Sequence, residues 1–169
     1  MMVQEHQICL LLGSNIQPEK NLALGLDLLR SQVKIIRVSS VWETSSVGAS
    51  GPDFLNMALL AATALEAGTF KEKVIRPLEK QLGRLRVADK NAPRTIDLDI
   101  SLWDDDIFDY GEKPWHIPDP YIMRFAHVVI PLAEITPEYV HPVEKVTLAT
   151  IAGRFAAVKF QRLPFPFDA

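Results

Sequence analysis

The sequence contains a single cysteine, Cys9, so an internal disulfide is impossible and a reducing compartment is expected. Cys9 lies in an apolar run, which favours a buried and inert thiol over a nucleophile. No apolar stretch approaches the length of a transmembrane helix, and Ile8–Leu12 is too short for the apolar core of a signal peptide. We therefore expect a cytoplasmic or organelle-matrix protein that has no membrane partner.

An excess of positive charge is also missing. The 169 residues carry 18 Lys and Arg against 21 Asp and Glu, which gives a formal net charge of −3. Nucleic-acid binders are usually basic, so no nucleic-acid partner is expected. The sequence has neither of the glycine-rich nucleotide motifs G-x-x-x-x-G-K-[ST] and G-x-G-x-x-G, and its four histidines lack zinc-site spacing. Any nucleotide must therefore be held by side chains and metal ions.

The composition is typical of one globular domain, since 48% of the residues are hydrophobic and 23% are charged. We expect a single domain over residues 1–169. Hydrophobic patterns predict strands at 7–12, 33–44, 54–64 and from 95, with helices from 18 and at 69–82, the second interrupted at Pro77. A turn and short strand at 104–110, helices from 131 and at 148–155, and an edge strand at 158–163 follow.

The order β-α-β-β-α-β with a helical tail predicts the α+β class. The expected fold is a ferredoxin-like antiparallel sheet with helices on one face and a C-terminal helical extension. The other face of the sheet would then be open for ligands.

The most informative stretch is the strand that follows Arg94. Its residues alternate between polar and apolar from Thr95 to Leu102, which places Asp97 and Asp99 together on one face. Two carboxylates at this spacing can converge on one divalent cation or flank two cations about 4 Å apart. The guanidinium of Arg94 adds the positive charge that a polyphosphate needs. The alternative is a surface strand with two solvated acids, although exposed strands disfavour Asp.

Two more arginines, Arg84 and Arg86, share one side of an extended segment after the second helix. Each guanidinium can hold phosphate oxygens in a planar fork, and with Arg94 they would form a three-arginine cradle. Glu79, one turn before the end of that helix, could hold an arginine in place or accept a hydrogen bond from a ribose hydroxyl. A solvated helix acid is the competing interpretation for Glu79.

A further pair of candidates, Phe54 and Asn56, shares one face of the strand at 54–64. A ring to stack on and an amide that both donates and accepts would suit a flat heterocycle with an amide-like edge. Thr44 and the loop Ser45–Pro52 add polar groups near the same end, and the loop is a candidate lid. The alternative, in which Phe54 is a core residue and Asn56 an edge residue, stays open.

Taken in order, these residues resemble the 6-hydroxymethyl-7,8-dihydropterin pyrophosphokinases of folate biosynthesis. The resemblance extends from Leu10 to Pro142, and Pro93–Asp99 is its most specific part. The other matching segments are Leu11–Asn15, Ser39–Thr44, Phe54–Asn56, Glu79, Leu82–Arg86, Pro131–Ile135 and His141–Pro142. The resemblance implies a ferredoxin-like fold and transfer of the pyrophosphoryl group of ATP to the hydroxymethyl oxygen of the pterin, which leaves AMP.

The resemblance also implies roles for individual residues. Asp97 and Asp99 would hold two Mg²⁺ ions that bridge the ATP oxygens, and Arg84 and Arg94 would be catalytic residues that follow the moving charge. The residues expected to bind the pterin are Thr44, Val47, Phe54, Asn56 and His127. Those expected to bind ATP are Glu79, Arg86, Ile100, Asp119 and Arg124. Other folate-pathway enzymes are possible partners besides the two small-molecule substrates, ATP and the pterin.

The sequence departs from the family pattern at several positions, of which three concern the expected contacts to ATP and the pterin. Asp119 stands where the family usually has a histidine that reaches a phosphate, and it needs an intervening metal ion or arginine to do the same. Val87 replaces a common basic residue of the arginine loop. His127 takes the position of a second aromatic residue over the pterin, and an imidazole can also stack.

Two other functions stay open. Asp119 and Val87 motivate a binding or regulatory paralogue that keeps the site but has lost efficient transfer. The other is a ferredoxin-like RNA-binding module with Phe54 as a stacking platform. The net charge of −3 and the paired aspartates oppose that second reading.

Overall fold

The computed structural model describes residues 2–44 and 51–166. The elements in chain order are β1 (His6–Ser14), α1 (Pro18–Arg30), β2 (Lys34–Val38), β3 (Val41–Thr44), β4 (Phe54–Thr63), α2 (Ala67–Phe70), a π-helical turn (Lys71–Ile75), α3 (Arg76–Gln81), β5 (Asp97–Trp103), β6 (Phe108–Tyr110), β7 (Trp115–Ile117), a 3-10 turn (Pro120–Met123), α4 (Ala126–Ile135), α5 (Leu148–Gly153) and β8 (Gln161–Leu163). Within these ranges, no helix has both the length and the apolarity needed to cross a membrane.

The main sheet is antiparallel and has the strand order β5-β1-β4-β3-β8, with β2 also paired to β4. This is the ferredoxin-like arrangement, extended at one edge by β8. Strands β6 and β7 form a separate antiparallel hairpin. The predicted α+β class and the C-terminal helical extension are confirmed, as is the edge strand near the end of the chain.

The first face of the sheet carries the larger core, because alternate residues of the central strands point to it. Leu10 of β1 and Met57 of β4 are fully buried there, together with Leu26 of α1 and Phe70 of α2. Burial of each such side chain stabilises the fold by about 2 kcal/mol. Helices α1, α2 and α3 therefore cover this face, as the amphipathic pattern predicts.

The second face is not open as expected. Leu11 and Ala58 on this face are buried beneath Val129 and Leu132 of α4, and Ile151 of α5 completes the cluster. The prediction is wrong because the C-terminal helices are themselves apolar on one side and need a surface to bury it. Within residues 2–44 and 51–166, the end of the sheet near Gly13 lines a cleft, and this end forms the candidate site.

Cys9 belongs to the same second-face cluster and is 3% exposed. Burial raises the pKa of its thiol to about 12, so the thiolate is not formed near neutral pH. The expected buried and inert cysteine is therefore confirmed.

The strand predicted at 33–44 is divided into β2 and β3 at Ser39 and Ser40. The backbone N–H of Ser39 donates to the Ala58 carbonyl at 2.9 Å, and its hydroxyl accepts from the Ala58 N–H at 2.8 Å. A serine side chain thus replaces one backbone partner of β4. The chain bends at Ser39 and Ser40 but stays hydrogen-bonded to β4 through Ser39.

The strict alternation expected through Leu102 is interrupted in β5. Cys9 pairs with Leu102 and Leu10 with Ile100, so Ser101 is an extra residue that forms a β-bulge. The bulge turns Leu102 to the second-face cluster, whereas Ile100 packs in the first. The expected single apolar face is wrong beyond Ile100. Asp97 and Asp99 precede the bulge, and the prediction holds for both.

The second helix is interrupted, as Pro77 predicts. Because proline has no N–H for the carbonyl four residues earlier, a wider π-helical turn at Lys71–Ile75 precedes α3. Gly83 ends the helix in the left-handed conformation with φ at 77°, which favours glycine. The helix predicted to begin at Pro131 instead begins at Ala126 and contains that proline.

Candidate active site

A cleft with a volume of about 780 Å³ opens at the accessible end of the sheet. In the strand register Gly13 of β1 lies between Asn56 of β4 and Asp97 of β5, so three strands meet at the cleft. The predicted site residues that line it are Thr44, Phe54, Asn56, Arg84, Arg86, Arg94, Asp97, Asp99, Asp119 and His127. The sheet topology thus brings the predicted ring-binding and phosphate-binding groups into one opening.

Three predicted site residues that the structure describes do not line the cleft. Ile100 is 4% exposed and packs in the first-face core, and Arg124 is exposed outside the cleft. Glu79 is 3% exposed and lies behind the arginines. Val47, with most of the expected lid at Ser45–Pro52, lies outside the described residues.

Asp97 is the centre of the charged side of the cleft. Its Oδ1 accepts a hydrogen bond from Arg84 at 2.9 Å, and its Oδ2 accepts one from Arg94 at 2.7 Å. Burial raises the pKa of a carboxyl group, but the two guanidinium groups outweigh it and hold the pKa of Asp97 below its usual value. Asp97 is therefore a counter-ion that is ionised at neutral pH and shared by both predicted catalytic arginines.

Glu79 lies behind the cleft and contacts Arg86 and Arg84. Its Oε2 accepts from Arg86 at 2.7 Å, its Oε1 accepts from the Leu98 N–H at 3.2 Å, and Arg84 lies 3.9 Å away. A buried carboxylate with these partners fixes the arginine loop to β5. Of the two expected roles for Glu79, the structure places it in the first, holding an arginine, and the solvated-acid interpretation is wrong.

Asp99 differs from Asp97 although it lies on the same face of β5. Burial and the charge of Asp97 raise the pKa of Asp99 to about 8, and Asp119 adds to this while the Lys71 ammonium opposes it. Burial also raises the pKa of Asp119. The carboxylates of Asp97 and Asp99 repel each other at the base of the cleft, and such a pair is suited to bind a hard divalent cation.

The donor set available for such a cation is small. Within the described residues, no group of three or more His, Cys, Asp or Glu side chains is placed to hold a metal ion. Mg²⁺ commonly uses one or two carboxylates and takes its other ligands from water and substrate phosphates. Asp97 and Asp99 fit that mode of binding.

The ring-binding side rests on β4. Asn56 is 4% exposed, and its Nδ2 donates to the Thr44 hydroxyl at 3.0 Å, which orients the amide. Phe54 is half-buried, lines the cleft and has the Arg94 guanidinium 6.0 Å from its ring centroid. Because β4 is paired on both sides, Asn56 is not an edge residue. Phe54 belongs to neither hydrophobic core cluster of the described residues, so it is not a core residue.

A wall of aromatic side chains also lines the cleft. His127 stacks on Phe125 with ring centroids 5.3 Å apart at 30°, and Tyr121 meets Phe125 edge-on at 5.2 Å. Burial lowers the pKa of His127, so its imidazole is neutral at neutral pH. A neutral ring held by stacking is suited to contact a flat ligand.

Residues absent from the predicted site also line the cleft: Gly13, Lys113, Tyr121 and Phe125. A Cβ at Gly13 would lie 3.0 Å from Asn56 Oδ1, so the glycine makes room for the amide. Phe125 has a sequence signal, an aromatic ring two residues before His127. Lys113 has none, because it lies in the turn between β6 and β7 and its placement depends on tertiary contacts.

The family model described as 7,8-dihydro-6-hydroxymethylpterin-pyrophosphokinase (HPPK) matches residues 9–137. A 2-amino-4-hydroxy-6-hydroxymethyldihydropteridine pyrophosphokinase of Aquifex aeolicus is 33% identical over 134 residues, which are 78% of this chain and 81% of the relative. The protein of the same name from Synechocystis sp. is 31% identical over 134 residues, which are 78% of this chain and 67% of the relative.

Solved structures give the same result for the fold. The crystal structure of a Plasmodium falciparum HPPK-DHPS triple mutant with pteroate matches with a TM-score of 0.74 over 91% of this chain. The two sequences are 15% identical, so the likeness concerns the fold alone. The chain spans 44% of that longer protein.

Proposed function

Because the chain belongs to the 7,8-dihydro-6-hydroxymethylpterin-pyrophosphokinase family, we propose that it transfers the pyrophosphoryl group of ATP to the hydroxymethyl oxygen of 6-hydroxymethyl-7,8-dihydropterin. The products are AMP and the pterin diphosphate. One observation supports this proposal most directly: Arg94 donates to Asp97 and lies 6.0 Å from the ring centroid of Phe54. A single arginine therefore borders both the ring-binding and the phosphate-binding groups.

The pterin is proposed to lie between Phe54 and the aromatic wall. Phe54 stacks on one face of the ring, and the neutral His127, backed by Phe125, covers the other. Asn56 and Thr44 bind the polar edge, where the amide both donates and accepts. Val47, in the loop between Thr44 and Phe54, is proposed to add a backbone contact.

The phosphate tail of ATP is proposed to lie against Asp97 and the arginines. Asp97 and Asp99 would hold two Mg²⁺ ions, whose charge neutralises the triphosphate and polarises the attacked phosphorus when they are bound. Both oxygens of Asp97 accept hydrogen bonds from Arg84 and Arg94, so phosphate oxygens compete with Asp97 for these donors. An exchange of partners would bring the arginines to the phosphates and leave the carboxylate to the cations.

The remaining nucleotide contacts are proposed as follows. Glu79 acts through Arg86, which it holds at 2.7 Å, so that the guanidinium is presented to the phosphates. Asp119 lines the cleft and reaches a phosphate only through a cation, in keeping with its carboxylate chemistry. Ile100 near the adenine and Arg124 near the tail would reach ATP only if the chain around them moves.

We also infer that residues 1–169 act as one pterin pyrophosphokinase domain in the cytoplasm, where a lone reduced Cys9 is expected. The neighbours from Plasmodium falciparum are described as HPPK-DHPS. Association with another folate-pathway enzyme is therefore proposed as a possible partnership, besides ATP and the pterin. No nucleic-acid or membrane partner is proposed.

The test is an assay of the unmodified chain with ATP, Mg²⁺ and 6-hydroxymethyl-7,8-dihydropterin. We expect equal amounts of AMP and pterin diphosphate, separated by chromatography and identified by ³¹P NMR, with no ADP. Omission of the pterin is the control, since hydrolysis of ATP alone would be unrelated to the transfer. Calorimetric binding of both substrates without AMP would instead select the regulatory paralogue.

A further inference from the structure

We propose that Asn15 is a positioning residue for the transfer, which holds the backbone of Arg94 so that its guanidinium meets the phosphates at a fixed place. The proposal rests on the proposed function, because it assigns Asn15 a role through a residue of that site. Asn15 follows the last residue of β1 and is 4% exposed. It does not line the cleft among the described residues and thus is not placed to touch either substrate.

Asn15 forms two hydrogen bonds with the backbone of Arg94, and we call these two bonds the grip. The Arg94 N–H donates to the Asn15 side-chain oxygen at 2.7 Å, and the Asn15 N–H donates to the Arg94 carbonyl at 3.1 Å. Both backbone polar groups of Arg94 are therefore satisfied by one residue 79 positions away in the sequence. This pairing resembles one rung of a strand ladder, but it lies outside every strand of the described chain.

The grip matters because of where Arg94 lies. Residues 82–96 connect α3 to β5, and this described segment contains no helix or strand that would fix its path. The side chain of Arg94 is long and must reach the carboxylate of Asp97 at 2.7 Å. A guanidinium can be held to a few tenths of an ångström only if the backbone beneath it is held first. The Asn15 contacts supply that support.

The same side chain also contacts the other half of the cleft. Asn15 Nδ2 donates to the Pro52 carbonyl at 3.3 Å, two residues before Phe54. One buried amide thus joins the segment that carries Arg94 to the segment that leads into the ring-binding strand. The longer 3.3 Å contact is the weaker of the two side-chain hydrogen bonds. The role assigned to Asn15 therefore concerns Arg94 first.

The chain offers a matched control in Asn21. This asparagine lies on the first turns of α1 and is 7% exposed, and its Nδ2 donates to the Ile16 carbonyl at 2.6 Å. Asn21→Ala removes a buried amide six positions further along the chain, and the hydrogen bond that this amide donates goes to Ile16, not to Arg94. A general loss of stability would affect both variants, whereas loss of the grip on Arg94 affects only the Asn15 variants.

The experiment is a double-mutant cycle of Asn15→Ala with Arg94→Ala, measured as kcat and KM for AMP formation. We expect Asn15→Ala to lower kcat about tenfold or more in the unmodified chain but less than about twofold in the Arg94→Ala background. Asn21→Ala is expected to retain kcat. Equal losses of kcat from Asn15→Ala in both backgrounds would overturn the proposal, because Asn15 would then act independently of Arg94.

A second variant, Asn15→Asp, separates the two side-chain contacts. Its carboxylate still accepts from the Arg94 N–H but cannot donate to the Pro52 carbonyl. Retention of kcat within about threefold supports the grip on Arg94, since a 1 Å displacement would cost far more. A loss as large as that of Asn15→Ala, at unchanged stability, would assign the effect to Pro52 and overturn the proposal.

Amide hydrogen exchange at Arg94, followed by NMR, needs no activity. We expect the Arg94 N–H to exchange at least about tenfold faster in Asn15→Ala than in Asn21→Ala or the unmodified chain, because its acceptor is gone. Unchanged exchange would contradict the grip itself. If the unmodified chain forms no AMP, the proposed function fails instead, and the exchange rates still decide whether Asn15 holds this backbone.

Discussion

The proposed ring-binding residues Phe54 and Asn56 lie on β4, a strand paired on both sides, whereas Arg84 and Arg94 lie in the connection between α3 and β5. The first pair is held by a sheet ladder and by the hydrogen bond from Asn56 to Thr44. The arginines are held by individual hydrogen bonds outside any strand ladder. Asp97 accepts from both guanidinium groups, the Ile96 carbonyl also accepts from Arg84, and the Lys90 carbonyl also accepts from Arg94. Asn15 holds the Arg94 backbone. The two halves of the cleft therefore differ in what preorganises them.

The difference has a consequence for binding. A flat ring can enter the β4 side without breaking hydrogen bonds among the residues that hold Phe54. A phosphate tail in the proposed site would compete with Asp97 for the arginines, so its binding would be coupled to rearrangement of charge. We therefore expect the two halves to respond differently to mutation and to pH.

Replacement of Asp97 has the largest expected effect. Asp97→Asn keeps the shape of the side chain but removes the charge that serves the arginines and the cations, and we expect kcat/KM to fall about a thousandfold. Pterin affinity should change less than about threefold, because Phe54 and Asn56 do not depend on Asp97. Steady-state kinetics and calorimetry with the pterin measure the two quantities.

The matched control for Asp97 is Asp27→Asn on α1, an exposed acid that pairs with Arg30 at 3.1 Å and does not line the cleft. Surface ion pairs of this kind contribute little, so kcat/KM should be unchanged. An Asp97→Asn variant that kept full turnover would show that the charged half of the cleft does not carry the transfer.

Replacement of Phe54 tests the other half. Phe54→Ala removes a stacking face, and we expect about 2 kcal/mol of pterin binding to be lost, about a thirtyfold rise in Kd. The Kd for MgATP should be nearly unchanged, apart from the loss of the weak contact between the ring and Arg94. Phe54→Tyr is the control, since it keeps the ring. Equal losses for both ligands would remove the distinction between the halves.

The pH dependence of the two halves should also differ. Burial and Asp97 raise the pKa of Asp99 to about 8, so a proton competes with the cation and Mg²⁺ affinity should fall up to about tenfold per pH unit below that value. The Mg²⁺ affinity levels off above pH 8, because the carboxylate is then ionised. Burial lowers the pKa of His127, so pterin affinity should be flat from neutral pH upward.

Calorimetry in buffers of different ionisation enthalpy measures the proton released when Mg²⁺ binds. Asp99→Asn should abolish both that proton release and the pH dependence, since it removes the titrating group. If the pterin affinity changed with pH in the same way as the Mg²⁺ affinity, the two halves of the cleft would respond to the same titrating group. That result would contradict their separation.

The sequence predicts the elements and the chemistry of the strand residues because both depend on local periodicity. Asp97, Asp99, Phe54 and Asn56 lie where alternation places them. The bulge at Ser101 and the covered second face depend on contacts between distant segments, and local pattern does not contain them. The same holds for Lys113 and Tyr121, which reach the cleft only through the placement of a hairpin and a turn.

The resemblance to the family also does not show which residues in the matching segments are structural and which are functional. Glu134 accepts hydrogen bonds from Ser40 and Trp42 and from Arg162 of β8, so it fixes the edge of the sheet. The ring of His141 accepts from the Glu144 N–H at 3.1 Å and shapes a turn. Only the three-dimensional arrangement shows that these two act away from the cleft.

The smallest expected effect comes from Gly13, which sharpens the comparison because it lies between the two halves. In Gly13→Ala the added Cβ would lie 3.0 Å from Asn56 Oδ1, tighter than most real contacts, so the amide must shift slightly and its hydrogen bond to Thr44 is disturbed. We expect pterin affinity to fall about fivefold, near 1 kcal/mol, while the Kd for MgATP stays constant. Gly68→Ala is the control, because its Cβ would meet nothing within 4 Å. If Gly13→Ala weakened the binding of MgATP as much as that of the pterin, displacement of Asn56 could not be the cause. The boundary between the two halves of the cleft would then have to lie on the other side of β1.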